Sequence, residues 1–124
     1  MARRTKPANI LWHMNTQDSR WSGDDLVRVF AALGNPHRIR VVAALVEDRC
    51  HVSELARRLR ISRPLLQVHL RRLEEVGLVR SHVEVAADAR ARRFYELTPF
   101  SFAVTPESLA EAASRLTDRN EEQS

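Results

Sequence analysis

The apolar residues of this chain change period once, at Gly77. Before it they recur at i, i+3 and i+4, as in an amphipathic helix. After it, from Leu78 to Val85 and from Arg92 to Leu97, they alternate as in half-buried strands. A helix-period stripe presents no continuous face on a strand, and the reverse also holds, so this order excludes a β-sandwich and a plain helical bundle. The chain has to set a hairpin behind a helical body.

Local signals divide that body. Ser22 or Asp24 caps a first helix whose Leu26, Val29, Phe30 and Leu33 form one apolar face, and Gly34 ends it. Asn35-Pro36 opens a second helix that runs to about Glu47 with Ile39, Val42, Ala43 and Val46 on its stripe. A third helix of about eight residues starts near His51 to Ser53. It buries Val52, Leu55, Ala56 and Leu59 and turns Arg57, Arg58 and Arg60 to water. Ser62 caps a fourth, with Pro64 in its first turn, Leu66, Leu70, Leu73 and Val76 as its stripe and Gly77 as its stop. The stretch 86–91 joins the two strands. Thr105-Pro106-Glu107 then begins a last helix with a narrow stripe of Leu109, Ala112, Ala113 and Leu116. The expected fold class is therefore mainly α with a small β-hairpin, in the order α-α-α-α-β-β-α.

At 124 residues and 14.2 kDa the chain holds one modest core. We expect a flexible arm over 1–22, a single domain over 23–117 and a disordered tail over 118–124. Trp12 and Trp21 in the arm would then dock on the body or on a partner subunit. No apolar run approaches the roughly 18 residues of a membrane span. Arg3, Arg4 and Lys6 are followed by no long apolar core, which argues against a secretory signal. Cys50 is the single cysteine, so no internal disulfide forms and the cytoplasm is the expected compartment.

Charge is local. Residues 57–93 carry ten Arg against four acids, a net +6, whereas 98–124 carry two Arg against five acids, a net −3. A block of that kind attracts polyanions, nucleic acid first. A short helix, the turn Arg60-Ile-Ser62, a longer helix and a basic hairpin give the spacing of a helix-turn-helix with a wing. Opposite the buried stripe of the fourth helix stand Arg63, Gln67 and Arg71 at i, i+4 and i+8, expected as one outward row. Gln67 suits adenine, Arg63 suits guanine or a phosphate, and Arg71 reaches the backbone. On the wing, Arg90 and Arg92 are expected at phosphates or in a minor groove, with Arg93 either beside them or at the wing's base. Tyr95 and Leu97 should alternate inward.

The runs Leu33-Gly-Asn-Pro-His-Arg-Ile-Arg40, Val52-Ser-Glu-Leu-Ala56, Ile61-Ser-Arg-Pro64, His69-Leu70, Leu73-Glu-Glu-Val-Gly-Leu-Val79 and Phe94-Tyr-Glu-Leu-Thr98 together resemble the ArsR family of winged-helix repressors. The resemblance covers about residues 24–98. It implies a homodimer built from the first and last helices, two recognition helices on a palindromic operator in double-stranded DNA, and repression relieved by a signal. Leu26, Val29 and Phe30 with Leu109, Ala112, Ala113 and Leu116 are the expected dimer contacts, preferred over packing within one chain. Ser62 and His69 join Arg63, Gln67 and Arg71 as expected DNA residues. For His69 a phosphate contact and a partly buried place in the helix stand equal.

Three departures from the family's pattern stand out. Where many relatives have Cys-Val-Cys at the start of the third helix, the aligned positions are His51 and Ser53, with Cys50 just before, and no His or Cys follows His82. We therefore expect no metal and no cofactor. A metal- or thiol-responsive switch on Cys50 and His51, with His37 or His13, is the alternative. Arg60 occupies a turn position where relatives have Gly, a costly residue if the backbone there is left-handed. Leu65 and Val68 stand where relatives carry polar residues, either to touch thymine methyls or to bind an effector or partner. A protein-interaction module without an operator is the rival from another class. With three glycines and no nucleophile elbow or phosphate loop, no catalysis is expected.

Overall fold

The structure, a computed structural model, describes residues 23–85 and 87–117. The expected arm, with His13, Trp12 and Trp21, and the expected tail lie outside the described residues. Among the described residues five helices and three strands follow in order: α1 (Gly23–Leu33), α2 (Pro36–Glu47), β1 (Cys50–His51), α3 (Val52–Leu59), α4 (Arg63–Glu75), β2 (Val79–Val85), β3 (Ala91–Leu97) and α5 (Pro106–Ala113). Among the described residues no helix is long and apolar enough to cross a membrane. The chain divides into two compact units, residues 31–98 and the residues on either side of them.

In the unit 31–98, local chemistry sets each boundary. The Asn35 side chain accepts from His37 N at 2.8 Å and Arg38 N at 3.3 Å, and Pro36 gives up no bond in the first turn of α2. The α3–α4 turn closes through Arg60, which is left-handed at φ 60 and ψ 43, while Ile61 N reaches Ala56 O at 3.2 Å. The turn therefore keeps the backbone that favours glycine, although an arginine sits in it. Ser62 Oγ accepts from Leu65 N at 3.2 Å and starts α4. Gly77 at φ +84 stops it, with Leu78 N bonded to Leu73 O at 3.0 Å.

The sheet is antiparallel in the order β1-β3-β2, so it has three strands where two were expected. Cys50 pairs with Tyr95 and His51 with Phe94, while β2 pairs with β3 from Val79↔Leu97 to Val85↔Ala91. The pleat alternates: Cys50, Val79 and Tyr95 are buried, whereas His51, His82 and Phe94 share the other face. Leu55, Leu66, Leu70 and Leu73 are fully buried. Each contributes about 1.5–3 kcal/mol of transfer free energy. One expected stripe is out of phase. On α2 the buried residues are Val41 and Leu45, while Ile39 and Val46 are 52% and 62% exposed.

In the other unit, Thr105 and Ser108 form a reciprocal capping box at the start of α5, each backbone N–H bonded to the other's hydroxyl at 2.9 Å. Gly23 lies against α5 so closely that a Cβ on it would collide with the Ala112 carbonyl oxygen. Thr117 N donates to Asp24 Oδ1 at 3.3 Å, and the Phe30 and Phe102 rings meet edge to face at 6.5 Å. A groove of about 150 Å³ remains, lined by Gly23, Leu26, Val27, Phe30, Leu109, Ala112, Ala113 and Leu116.

Candidate nucleic-acid interface

Helix α4 buries Leu66, His69, Leu70 and Leu73 and leaves the rest of its surface open. Residues four apart drift about 40° around a helix of 3.6 residues per turn, so Arg63, Gln67 and Arg71 cannot share one line. The structure shows the consequence: the expected single row divides between two clefts of about 250 Å³ each.

Arg63 and Gln67 line the cleft on the wing side, together with His51, Val52 and Ser53 at the start of α3 and Arg92 and Arg93 of β3. Arg63 donates to Ser53 Oγ at 3.1 Å, which aims the guanidinium without neutralising it. Among the described residues no carboxylate lines this cleft. It offers three guanidiniums, an amide and a hydroxyl, the set that forks onto base edges and phosphate oxygens. Arg71 lines the second cleft, between α2 and α4, with Arg38, Val68, Arg72 and Glu75. Leu65 and Val68 are 39% and 50% exposed, so both apolar side chains face outward.

His69 belongs to neither cleft. It is 5% exposed, a correction to its expected place among the DNA contacts, because its position on α4 falls between Leu66 and Leu70 on the buried side. Its Nδ1 accepts from Arg38 Nε at 3.1 Å, which leaves the proton on Nε2, buried and without a partner among the described residues. The His37 ring lies 5.2 Å away. Burial, then the charges of Arg38 and His37, lower the His69 pKa below its usual value and keep the ring neutral.

On the wing, Arg90 is exposed at the tip, its N–H bonded to Asp88 Oδ1 at 3.1 Å, and Arg92 lies 3.6 Å from Asp88 Oδ2. Arg93 serves the base, donating to Ser81 Oγ at 3.0 Å, while Ser81 donates to Glu74 of α4 at 3.1 Å. Sequence reasoning gave no role to the outer sheet face, where Arg49 sits 4.6 Å over the Phe94 ring and pairs with Glu84. Nor did it give one to Arg38, whose only sequence signal is a place in the Asn35-Pro-His-Arg38 run.

The expected ligand and dimer residues fall as follows. Cys50 is 2% exposed, and burial with the nearby Glu54 pushes its thiol pKa up, against a smaller opposing effect of Arg58. His51 faces Glu54 at 3.9 Å, and the His37 ring lies tilted against that of His69. Among the described residues no three metal-ligating side chains converge. Of the expected dimer contacts, Leu26, Val29 and Ala112 are buried in the chain itself, Phe30 is half-buried, and Leu109, Ala113 and Leu116 are exposed.

With α4 held between α2 and the hairpin, the unit 31–98 is a winged helix-turn-helix, a DNA-binding class. Residues 35–81 match the model of the bacterial regulatory protein arsR family. Over 83 residues the chain is 37% identical to an uncharacterized HTH-type transcriptional regulator of Methanocaldococcus jannaschii, covering 67% of this chain and 86% of that one. Reduced HlyU from Vibrio cholerae is similar in structure at 27% identity and TM-score 0.52, over 73% of this chain and 84% of that one. A possible ArsR-family regulator of Mycobacterium bovis, solved as a homodimeric winged helix-turn-helix domain, shares the fold at 20% identity and TM-score 0.55, over 99% of this chain and 93% of that one. The chain belongs to the ArsR family and is a transcriptional regulator, not an enzyme.

Proposed function

We propose that this protein is a repressor that binds a palindromic operator in double-stranded DNA as a homodimer. One observation carries the reading: the wing-side cleft gathers Arg63, Gln67, Ser53 and Arg92 from three elements, with no carboxylate among the described residues of its lining. Ser62 starts the recognition helix, Arg63 and Gln67 read base edges, Arg71 holds backbone, and Arg90 and Arg92 reach the flanking groove. Residues 23–117 serve as one functional domain, with dimer contacts from the accessible Phe30, Leu109, Ala113 and Leu116, while Leu26, Val29 and Ala112 are buried within the chain itself and back that face. The apolar groove among these residues supports that assembly, as does the homodimeric state of the Mycobacterium bovis protein of like fold. A two-fold axis would set the recognition helices about 34 Å apart, one turn of DNA. Release follows an effector, small molecule or protein, acting in the cytoplasm. Cys50 is a poor trigger, since its thiol is buried and held protonated.

Selection from a random duplex pool at two salt concentrations tests this. Enrichment of a palindrome by the wild type, lost in Arg63→Ala/Gln67→Ala, is the expected result. Steeply salt-dependent binding without a motif would overturn it and favour an interaction module using Leu65 and Val68.

A further inference from the structure

The second cleft is unlike the first in the way its charge is held. Arg38 on α2 and Arg71 and Arg72 on α4 converge on about 250 Å³, with Glu75 the one carboxylate in the lining among the described residues. Arg72 faces Glu75 at 3.8 Å, which offsets its charge. Arg38 has different partners: its Nε donates to His69 Nδ1 at 3.1 Å and its Nη1 to the Ala32 carbonyl at 3.1 Å. Both acceptors are neutral, so the guanidinium is fixed in place and keeps its full charge. Arg71 makes no ion pair among the described residues.

The cost of that arrangement lies behind Arg38. His69 is buried, and its Nε2–H has no partner among the described residues, a penalty on a group that folding has removed from water. The result is a neutral imidazole whose Nδ1 orients Arg38. A pair of uncompensated guanidiniums in a shallow cleft, one of them held rigid, matches the oxygens of a phosphate rather than a base edge. The nearby Val68 offers no hydrogen bond to a base.

We propose that Arg38 and Arg71 clamp one phosphodiester of duplex DNA between α2 and α4, with His69 as the positioning residue for Arg38. The proposal rests on the DNA-binding reading above and adds a contact from outside the helix-turn-helix and the wing. It makes this cleft an anchor for register, while the wing-side cleft reads sequence.

Titration of a mixed-sequence 30-base-pair duplex across a range of salt concentrations tests it, with thermal melts confirming that each variant is folded. Arg38→Gln and Arg71→Gln should each lower the steepness of log K against log salt by about 0.9 for every phosphate no longer neutralised. The drop in affinity should be equal on duplexes of different sequence. His69→Phe, which fills the space but offers no acceptor, should reproduce the Arg38→Gln slope, and His69→Gln should restore part of it. Wild-type slopes in Arg38→Gln and Arg71→Gln, with duplex binding retained, would overturn the clamp and leave the DNA-binding reading intact. Failure of the wild type to bind any duplex would overturn both. Stabilisation by inorganic phosphate that is lost in Arg38→Gln, with unchanged slopes, would assign the cleft to a free anion and overturn the clamp.

Discussion

The two clefts beside α4 have the same volume and three arginines each, yet their chemistry differs. On the wing side, guanidiniums bond to hydroxyls that can rotate, Arg63 to Ser53 and Arg93 to Ser81, and an amide stands among them. On the α2 side, Arg38 is bolted to a ring and a backbone carbonyl, with no amide or hydroxyl among the described residues of the lining. Adjustable donors and acceptors suit discrimination between bases, and a fixed cation suits a backbone common to all sequences. In the proposed reading, one helix divides specificity from anchorage by the side of its axis on which a residue falls.

The largest effect should come from removing what both clefts share. Leu70 is fully buried on the inner face of α4, and Leu70→Ala should cost about 2–5 kcal/mol in denaturant unfolding, with duplex affinity falling as well. Next in size, Arg63→Ala and Gln67→Ala should each erase about 1–3 kcal/mol of discrimination, measured by competition between a selected duplex and its single-mismatch variants. Arg71→Ala should instead weaken all those duplexes alike. An Arg71→Ala variant that changed mismatch ranking would merge the two clefts into one reading surface.

A smaller effect should appear with pH. His69 has its pKa lowered by folding, so the unfolded chain takes up the proton more readily than the native one. The stability this group contributes is full above about 6.5, its unfolded value, and is lost as pH falls from there towards the folded pKa. Thermal melts between pH 7.5 and 5 should therefore fall more steeply for the wild type than for His69→Gln. The smallest expected effect is a gain. Arg60 is strained by its left-handed backbone, and Arg60→Gly should stabilise by about 0.5 kcal/mol, the strain relieved less the chain entropy that glycine adds.

Much of this was legible because local chemistry decided it. Asn35, Ser62, Gly77 and Thr105 each fix a helix end with a bond or a backbone angle that one residue type supplies, and all four act as their positions suggest. The stripe Leu66, Leu70 and Leu73 was clear because its i, i+4, i+7 spacing holds to helical period, with the apolar Leu65 and Val68 standing off it. The phase of α2 was not, since residues 41–46 are all apolar and any face among them satisfies the period. Only the packing around Val41 and Leu45 chooses. Strand β1 is two residues long, too short for a period, and exists because β3 offers it an edge. The division of Arg63 and Gln67 from Arg71 follows from helix geometry. What lies opposite each, Ser53 and Arg92 on one side and Arg38 on the other, is a tertiary fact. Arg38 and His69 stand 31 residues apart, and no local pattern announces their bond.

The most direct test of the central claim is a titration of isotope-labelled protein with a selected duplex, followed by backbone and arginine Nε resonances. Shifts should gather at residues 62–71 and 90–93 and at the Arg38 side chain, with Arg38 shifting equally for a mismatched duplex and Gln67 losing its shift. Shifts confined to the outer sheet face around Arg49, His82 and Phe94, with α4 unmoved, would contradict the account.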